Sequence, residues 1–284
     1  MKLALTGIAK ERDAMQTLVQ LASVFEGLAS MRIAQIKDQV QSSERYFADL
    51  WNIYIQIRVD ELFHFGRSQS SEDVVKKDLL ILISSESSFS GDIDQRLINE
   101  VLKNYDSQKN DILVVGRHGA TQLSLRGIPY IRSFKLPVHD RNINVSPILT
   151  EVQKYSSTEV YYATYVSLSK QDIKQTHLST AVAERGQKIK PGEEIISEQN
   201  YIFEPSTYAV VDHLERSMMQ IALSEFILES KLAQYASRFR AMSAAHSKAD
   251  ETYSDLTIAY NRARRSIKDE RLKEVINGLK RLEQ

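Results

Sequence analysis

Three stretches carry residue types that could do chemistry. "VVGRHGA" (114–120) follows a short apolar run and places Gly116 and Gly119 three apart, as in loops that cradle phosphate through backbone amides. A P-loop needs a longer glycine spacing ending in Lys-Ser/Thr, and a dinucleotide fold needs three spaced glycines entering a helix. Neither pattern is present, so the stretch reads as a turn after a buried strand. "ISSESSFSG" (83–91) sets serines around Glu86 at a strand end, where α/β domains bind ligands. It lacks the G-x-S-x-G elbow of a nucleophilic serine, and serine-rich turns arise from local hydrogen bonding. The histidines (His64, His118, His139, His177, His213, His246) never pair at i, i+4 and form no H-E-x-x-H helix, which argues against zinc. Asp140 beside His139 reads as a turn, and His246 as a half-buried helix residue. No cofactor site and no metal site is expected, and no acid, base and nucleophile assemble. One charge cluster stands apart: Arg262, Arg264, Arg265 and Lys268 crowd about two helical turns. It is either a solvated face with cations near a helix C-terminus or an electrostatic contact for an acidic partner.

Composition sets the bounds on what must position these residues. Lys+Arg and Asp+Glu both total 37, so nothing global argues for nucleic acid or an anionic membrane surface. There is no cysteine, which removes disulfides, thiolate nucleophiles and Cys-ligated metals and fits a reducing compartment. "MKLALTGIAKERDAM" has too short an apolar run to read as a signal peptide. No stretch approaches the roughly 20 apolar residues of a membrane span, so the expectation is a chain that meets a membrane only through a complex.

Helix breakers divide the chain. All five prolines lie between Pro129 and Pro205, no glycine falls between Gly192 and Gly278, and Leu28 to Phe65 has neither. Because proline removes a donor and clashes with the preceding turn, the ends read as long helices and the centre as mixed. Ser206 is the expected N-cap of the C-terminal helix and Gly278 its C-cap; at about 1.5 Å per residue the helix would be on the order of 100 Å long. Its apolar seam, Leu228, Leu232, Tyr235, Phe239, Met242, His246, Ala249, Tyr253, Leu256, Tyr260, Ala263 and Ile267, alternates steps of four and three, the period of a left-handed coiled coil. The N-terminal helix offers Leu18, Ala22, Phe25, Ala29, Ile33, Ile36, Val40, Ser43, Phe47, Leu50, Tyr54 and Ile57 at matching steps. Helices at opposite ends of a chain, joined through a compact insert, can pair antiparallel.

The centre reads strand–helix–strand: "DLLILIS" (78–84), "DIDQRLINEVLKNYD" (92–106) and "DILVVG" (111–116), which implies parallel pairing. "PILTEVQKY" is a further helix, "EVYYATYVSL" and "QNYIFEPS" are further strands, and "ERGQKIKPGEE" is a polar turn between them; "GRSQSSED" (66–73) is a linker. The fold class predicted is α/β: a long antiparallel two-helix coiled coil around an inserted small Rossmann-like domain. The divisions are a 1–65 helix, a 75–205 α/β domain and a 206–284 helix.

These features resemble the gamma subunit of F-type ATP synthases. "ASMRIAQIK" (29–37) is similar to the family's early Ala-Ser-Lys-Met-Arg-Arg-Ala-Gln pattern, and "LTIAYNRARRS" (256–266) to its Tyr-Asn-Lys/Arg-x-Arg signature. "VVGRHGA" followed by "LRGIP" resembles the family's Gly-Arg-Lys-Gly and Arg-Arg-Gly segments. "FSGDIDQRLI" falls where the family has Cys-Gly-Gly-Leu-Asn, here reduced to Ser90-Gly91. Where the family shows Gln-x-x-Ile-Thr-Gln-Glu, this chain reads "RSIKDER", so it resembles a divergent member or the shaft of a paralogous rotary ATPase. The resemblance implies a non-catalytic rotor shaft that couples ion flow to ATP synthesis or hydrolysis. It implies as partners the alpha and beta subunits of a hexamer, the epsilon subunit and a membrane c-ring, at the cytoplasmic face of the membrane. It makes Met31, Arg32, Gln35, Tyr260, Asn261, Arg262, Arg264, Arg265 and Lys268 the expected partner contacts. Without the resemblance, the pattern also admits a static coiled-coil adaptor, or an α/β enzyme if a pocket with convergent polar groups existed.

Overall fold

The computed structural model describes residues 2–57, 75–86, 90–136, 143–187 and 202–282. Two long helices bracket the chain, α1 (Lys2–Gln56) and α6 (Thr207–Leu282). Neither contains proline, and α6 starts where expected: the Ala209 N–H donates to Ser206 Oγ at 3.2 Å. Gly278 does not end it, because α6 continues to Leu282. An exposed glycine costs a helix about 1 kcal/mol relative to alanine and does not by itself stop it. The predicted linker at 66–73 lies outside the described residues, as do His64, His139 and Asp140.

Between the long helices come β1 (Val75–Ile83), α2 (Ile93–Asn104), β2 (Asn110–Val115), α3 (Arg117–Leu125), β3 (Arg132–Phe134), α4 (Ser146–Val152), β4 (Tyr155–Tyr165), β5 (Gln171–His177) and α5 (Leu178–Gln187). The strands form one sheet in the order β3-β2-β1-β4-β5, parallel except for the antiparallel β4–β5 pair. The unbroken apolar runs of β1 and β2 follow from burial on both faces. Leu80, Leu82, Ile112, Val114 and Tyr161 meet Leu97, Ile98 and Val101 of α2 and Ala120 and Leu123 of α3. Alternate residues Leu79, Ile81, Ile83, Leu113, Val115, Val160 and Tyr162 face the opposite layer, built from α4, Leu178 and Val182 of α5, Phe47 and Trp51 of α1, and Met218 to Ile227 of α6.

Three elements differ from the sequence reading. The residues just after Gly116 form helix α3 rather than a turn, since Ala120 and Leu123 reach the sheet. The fifth strand is Gln171–His177, not the 199–206 stretch, whose Ile202 is 92% exposed and whose described residues are not strand. Hydrophobic pattern could not reveal β5, because Ile173 is its one aliphatic residue. It is fixed by the ladder to β4 and by Glu159, which accepts from Gln175 Nε2 at 2.8 Å and lies 3.2 Å from His177 Nε2. The predicted polar turn begins inside α5, whose Leu178 and Val182 are buried four apart.

The chain divides into two compact units, residues 30–238 and the pairing of 1–29 with 239–284. Within the first, Tyr54 donates to Glu215 at 3.1 Å and Ile57 packs on Val211 and Leu214. Within the second, the Arg12 guanidinium lies over the Tyr260 ring, 4.7 Å from its centroid. Early residues of α6 thus meet late residues of α1 and the reverse, the antiparallel sense expected. The predicted α6 seam holds from Phe239 to Ile267: every seam residue is buried or half-buried, with Ala249 the most enclosed. On α1, Ala22 and Ala29 are buried while Leu18 and Phe25 remain exposed. Small residues hold the close approach and the larger ones flank it.

Candidate functional site

In an open parallel sheet, ligands bind beyond the carboxyl ends of the strands, where the strand order reverses. Here that point lies between β1 and β4, at Ser84, Ser85 and Glu86. The groups that would hold a phosphate are already engaged. At the start of α3 the Arg117 N–H donates to Glu86 Oε2 at 3.1 Å, the His118 N–H to the Ser85 carbonyl at 3.0 Å, and the Gly119 N–H to Ser84 Oγ at 2.9 Å. A carboxylate therefore occupies the helix N-terminus where an anion would sit. Gly116 and Gly119 serve close packing. Gly116 has φ +107°, and a Cβ there would lie 2.2 Å from the Ser84 carbonyl oxygen; a Cβ on Gly119 would lie 2.4 Å from Ser84 Oγ.

The rest of the crevice is filled from within the chain. Ser230 Oγ of α6 donates to the Ile83 carbonyl at 3.2 Å, and Ser237 Oγ donates to the Ser90 carbonyl at 2.7 Å. Ala233 between them packs against Ile93 and Ala163. Behind Ser90 sits a buried carboxylate, Asp94, which accepts from the Ser85 N–H at 3.0 Å, the Ser85 hydroxyl, the Ser90 hydroxyl at 3.2 Å, and His118 Nδ1 at 2.9 Å. A buried charge needs this many donors to offset its lost hydration. Serine, histidine and aspartate do meet here, but both hydroxyls donate to the carboxylate and not to the imidazole, so neither serine is activated as a nucleophile. Burial lowers the pKa of the nearby Arg238, with Tyr235 and Asp94 opposing the shift. No cluster of metal-ligating residues occurs among the described residues.

The predicted contact residues fall in the two units separately. In residues 30–238, Met31 is half exposed, Gln35 is exposed, and Arg32 Nη1 donates to Gln35 Oε1 at 3.2 Å, the pairing of neighbours on one helix face. In the helix pair, Tyr260 is half-buried beneath Arg12, whereas Asn261, Arg262, Arg264, Arg265 and Lys268 are all exposed. At about 100° per residue the cations lie on the side of α6 away from the seam of Leu256, Ala263 and Ile267. Leu272, Val275, Ile276 and Leu279 continue along that outward side, and Leu272, Val275 and Leu279 are 60%, 59% and 58% exposed. On α1, Leu18, Leu21, Val24, Phe25 and Leu28 are also exposed. Of these, the tip stripe could have been found in the sequence from its i, i+3, i+4, i+7 spacing. The Asp94 cluster could not, because its members come from four segments.

A sheet whose ligand crevice is filled by its own helix, in a chain bracketed by two uninterrupted helices, has the architecture of ATP synthase central-stalk chains. The comparisons agree. The ATP synthase family model matches residues 5–282. The ATP synthase gamma chain of Cytophaga hutchinsonii is 22% identical over 278 residues, covering 93% of each chain. That of Enterococcus faecalis is 25% identical over 295 residues, covering 93% of this chain and 94% of that one. A chain of the Euglena gracilis mitochondrial ATP synthase OSCP/F1/c-ring structure superposes with a TM-score of 0.64 at 12% identity, over 98% of this chain and 95% of that one. A Tetrahymena thermophila mitochondrial ATP synthase central stalk/c-ring chain does so at 0.55 and 18% identity, over 79% and 99%. The chain belongs to the ATP synthase family, as a divergent gamma chain, and its role is that of the central stalk. No helix among the described residues is long and apolar enough to cross a membrane.

Proposed function

We propose that the paired helices of residues 1–29 and 239–284 turn inside a hexamer of alternating alpha and beta subunits. In this reading the inserted α/β domain, residues 75–205, grips an epsilon subunit and the membrane c-ring at the cytoplasmic face. The carrying observation is the outward side of α6: cations Arg262, Arg264, Arg265 and Lys268, followed by exposed Leu272, Val275, Ile276 and Leu279. Water does not favour a contiguous apolar stripe, and no described residue covers this one, so an apolar collar on the partner would explain it. A ring of acidic residues one to two turns away would meet the cations. An uneven surface of this kind, turning within a ring of three catalytic sites, meets each site differently and so can force them into different states. Met31, Arg32 and Gln35 act in the same reading as contacts on α1. The test is co-purification with the neighbouring ATPase subunits, followed by reconstitution into vesicles. A complex holding one copy of this chain per nucleotide-binding hexamer, with ATP-driven ion transport, supports the reading. A chain that never joins a nucleotide-binding hexamer overturns it.

A further inference from the structure

α6 is one uninterrupted helix, and among the described residues of 30–238 its side chains join it to the sheet. These fall into two kinds. From Val211 to Leu228 the buried face is mainly apolar: Val211, Leu214, Met218, Met219, Ala222, Leu223, Ile227 and Leu228. From Ser230 to Ser237 it is mixed: Leu232, Ala233 and Ala236 are buried, and between them Ser230, Gln234 and Ser237 are buried at i, i+4 and i+7. Ser230 holds the Ile83 carbonyl, Ser237 holds the Ser90 carbonyl, and Gln234 Nε2 donates back to Ser230 Oγ at 3.0 Å. Beside them Glu229 Oε1 accepts from Thr164 Oγ1 of β4 at 2.6 Å.

We infer that Ser230 and Ser237 are positioning residues that lock the axial and rotational register of α6 against the ends of β1 and α2, so that torque passes between helix and sheet without slip. The inference rests on the rotor reading above. Apolar packing follows the area buried and has no direction. If α6 slid by one turn, about 5.4 Å, its apolar positions would mostly receive other apolar residues. Leu214 or Glu215 would replace Met218, Met219 would replace Leu223, and Leu223 would replace Ile227. The hydroxyl positions behave differently. Sliding one way puts Phe226 in the place of Ser230 and Ala233 in that of Ser237, and sliding the other way puts Ala241 in the place of Ser237. Either slip leaves a buried carbonyl without its donor, and an unsatisfied buried group is costly. Gly91, with φ +67°, lets α6 come this close: a Cβ there would stand 3.1 Å from Ser237 Oγ. Asp94 fixes the seat by holding Ser85 and Ser90, whose carbonyl receives Ser237.

The test compares Ser230→Ala, Ser237→Ala and the double variant in the whole complex reconstituted in vesicles, reading ions transported per ATP hydrolysed. Each lost bond raises the slipped population about fivefold, and both together about 25-fold. The ratio is therefore expected to fall in each single variant and further in the double, while ATP hydrolysis continues. Ser230→Thr, which keeps a hydroxyl, restores the ratio. Ile227→Val removes a methylene from the apolar face and lowers the melting temperature, yet leaves the ratio unchanged. A double variant with the wild-type ratio overturns the proposal, as does an Ile227→Val ratio that falls as far as those of the serine variants. If the double variant does not assemble, the two single variants decide in the same way. A wild-type complex that transports no ions on ATP hydrolysis instead refutes the rotor reading, before any variant is compared.

Discussion

Adding one methyl group at Gly116 and at Gly119 separates close packing from phosphate binding as the reason for these glycines. At Gly116 the new Cβ would stand 2.2 Å from the Ser84 carbonyl oxygen, a backbone atom just past the end of β1, where the Ser84 N–H is held by the Val115 carbonyl. Its φ of +107° adds strain for any residue with a Cβ, on the order of 1–2 kcal/mol. Overpacking adds about 1–3 kcal/mol, so Gly116→Ala is expected to cost about 2–5 kcal/mol in all. At about 2–4 °C per kcal/mol for a chain of this size, that is a drop of about 4–20 °C in melting temperature. At Gly119 the obstacle is the Ser84 side chain, with Oγ at 2.4 Å and Cβ at 2.8 Å, and the tip of Leu82 at 3.2 Å. Gly119→Ala should cost about 1–3 kcal/mol, and Ser84→Gly in the same chain should recover part of that. The same Ser84→Gly change should not rescue Gly116→Ala, because the obstructing atom there is backbone. Calorimetry of the three single and two double variants, analysed as double-mutant cycles, gives the coupling of each pair. Gly116→Ala costing less than about 1 kcal/mol, or rescued as well as Gly119→Ala, would refute the packing account.

Other outcomes follow from other parts of the molecule. Ala249→Pro, at a buried seam position, should cost about 3 kcal/mol or more and abolish coupled ATP hydrolysis in the complex; intact coupling would show that α6 carries no torque. Arg262→Glu with Arg264→Glu should weaken assembly, with a smaller effect at high salt, measured by co-purification over a salt series; no effect at any salt would leave the cluster as solvated surface. Tyr155 is pushed up from its ordinary 10.0 to about 12 by burial, with help from its hydrogen bond to Asp111, and burial likewise raises Tyr54, Tyr161 and Tyr162. A phenol with a raised folded value keeps its proton longer in the fold than in the unfolded chain. Its stabilisation is complete below pH 10 and, for Tyr155, is lost as pH rises toward 12. Denaturant midpoints should therefore fall with rising pH in that window, and Tyr155→Phe should flatten part of the fall; a wild-type midpoint insensitive to alkali would contradict this.

The long helices were legible because absence of proline and seam spacing are local properties of the sequence. So were β1, α2 and β2, whose apolar runs and amphipathic spacing point to burial on both strand faces. β5 was not, because Gln171–His177 is held by backbone ladder and by Glu159 rather than by apolar side chains. α3 is hidden in the sequence because Gly116 and Gly119 look like turn punctuation; in the fold they let the start of α3 come close to Ser84, just past the end of β1. The candidate site was legible only in its negative part, the lack of a phosphate or nucleophile motif. That α6 fills the crevice depends on Ser230 and Ser237 meeting carbonyls 147 residues away, and no local pattern encodes such a distance.

The most direct measurement of the central claim is rotation itself. The chain contains no cysteine, so Leu125→Cys on α3, at the most exposed leucine among the described residues, accepts a single bead or fluorophore. With the hexamer immobilised and ATP added, the account predicts that the label turns in one direction in step with hydrolysis. Steady hydrolysis with a stationary label would contradict it.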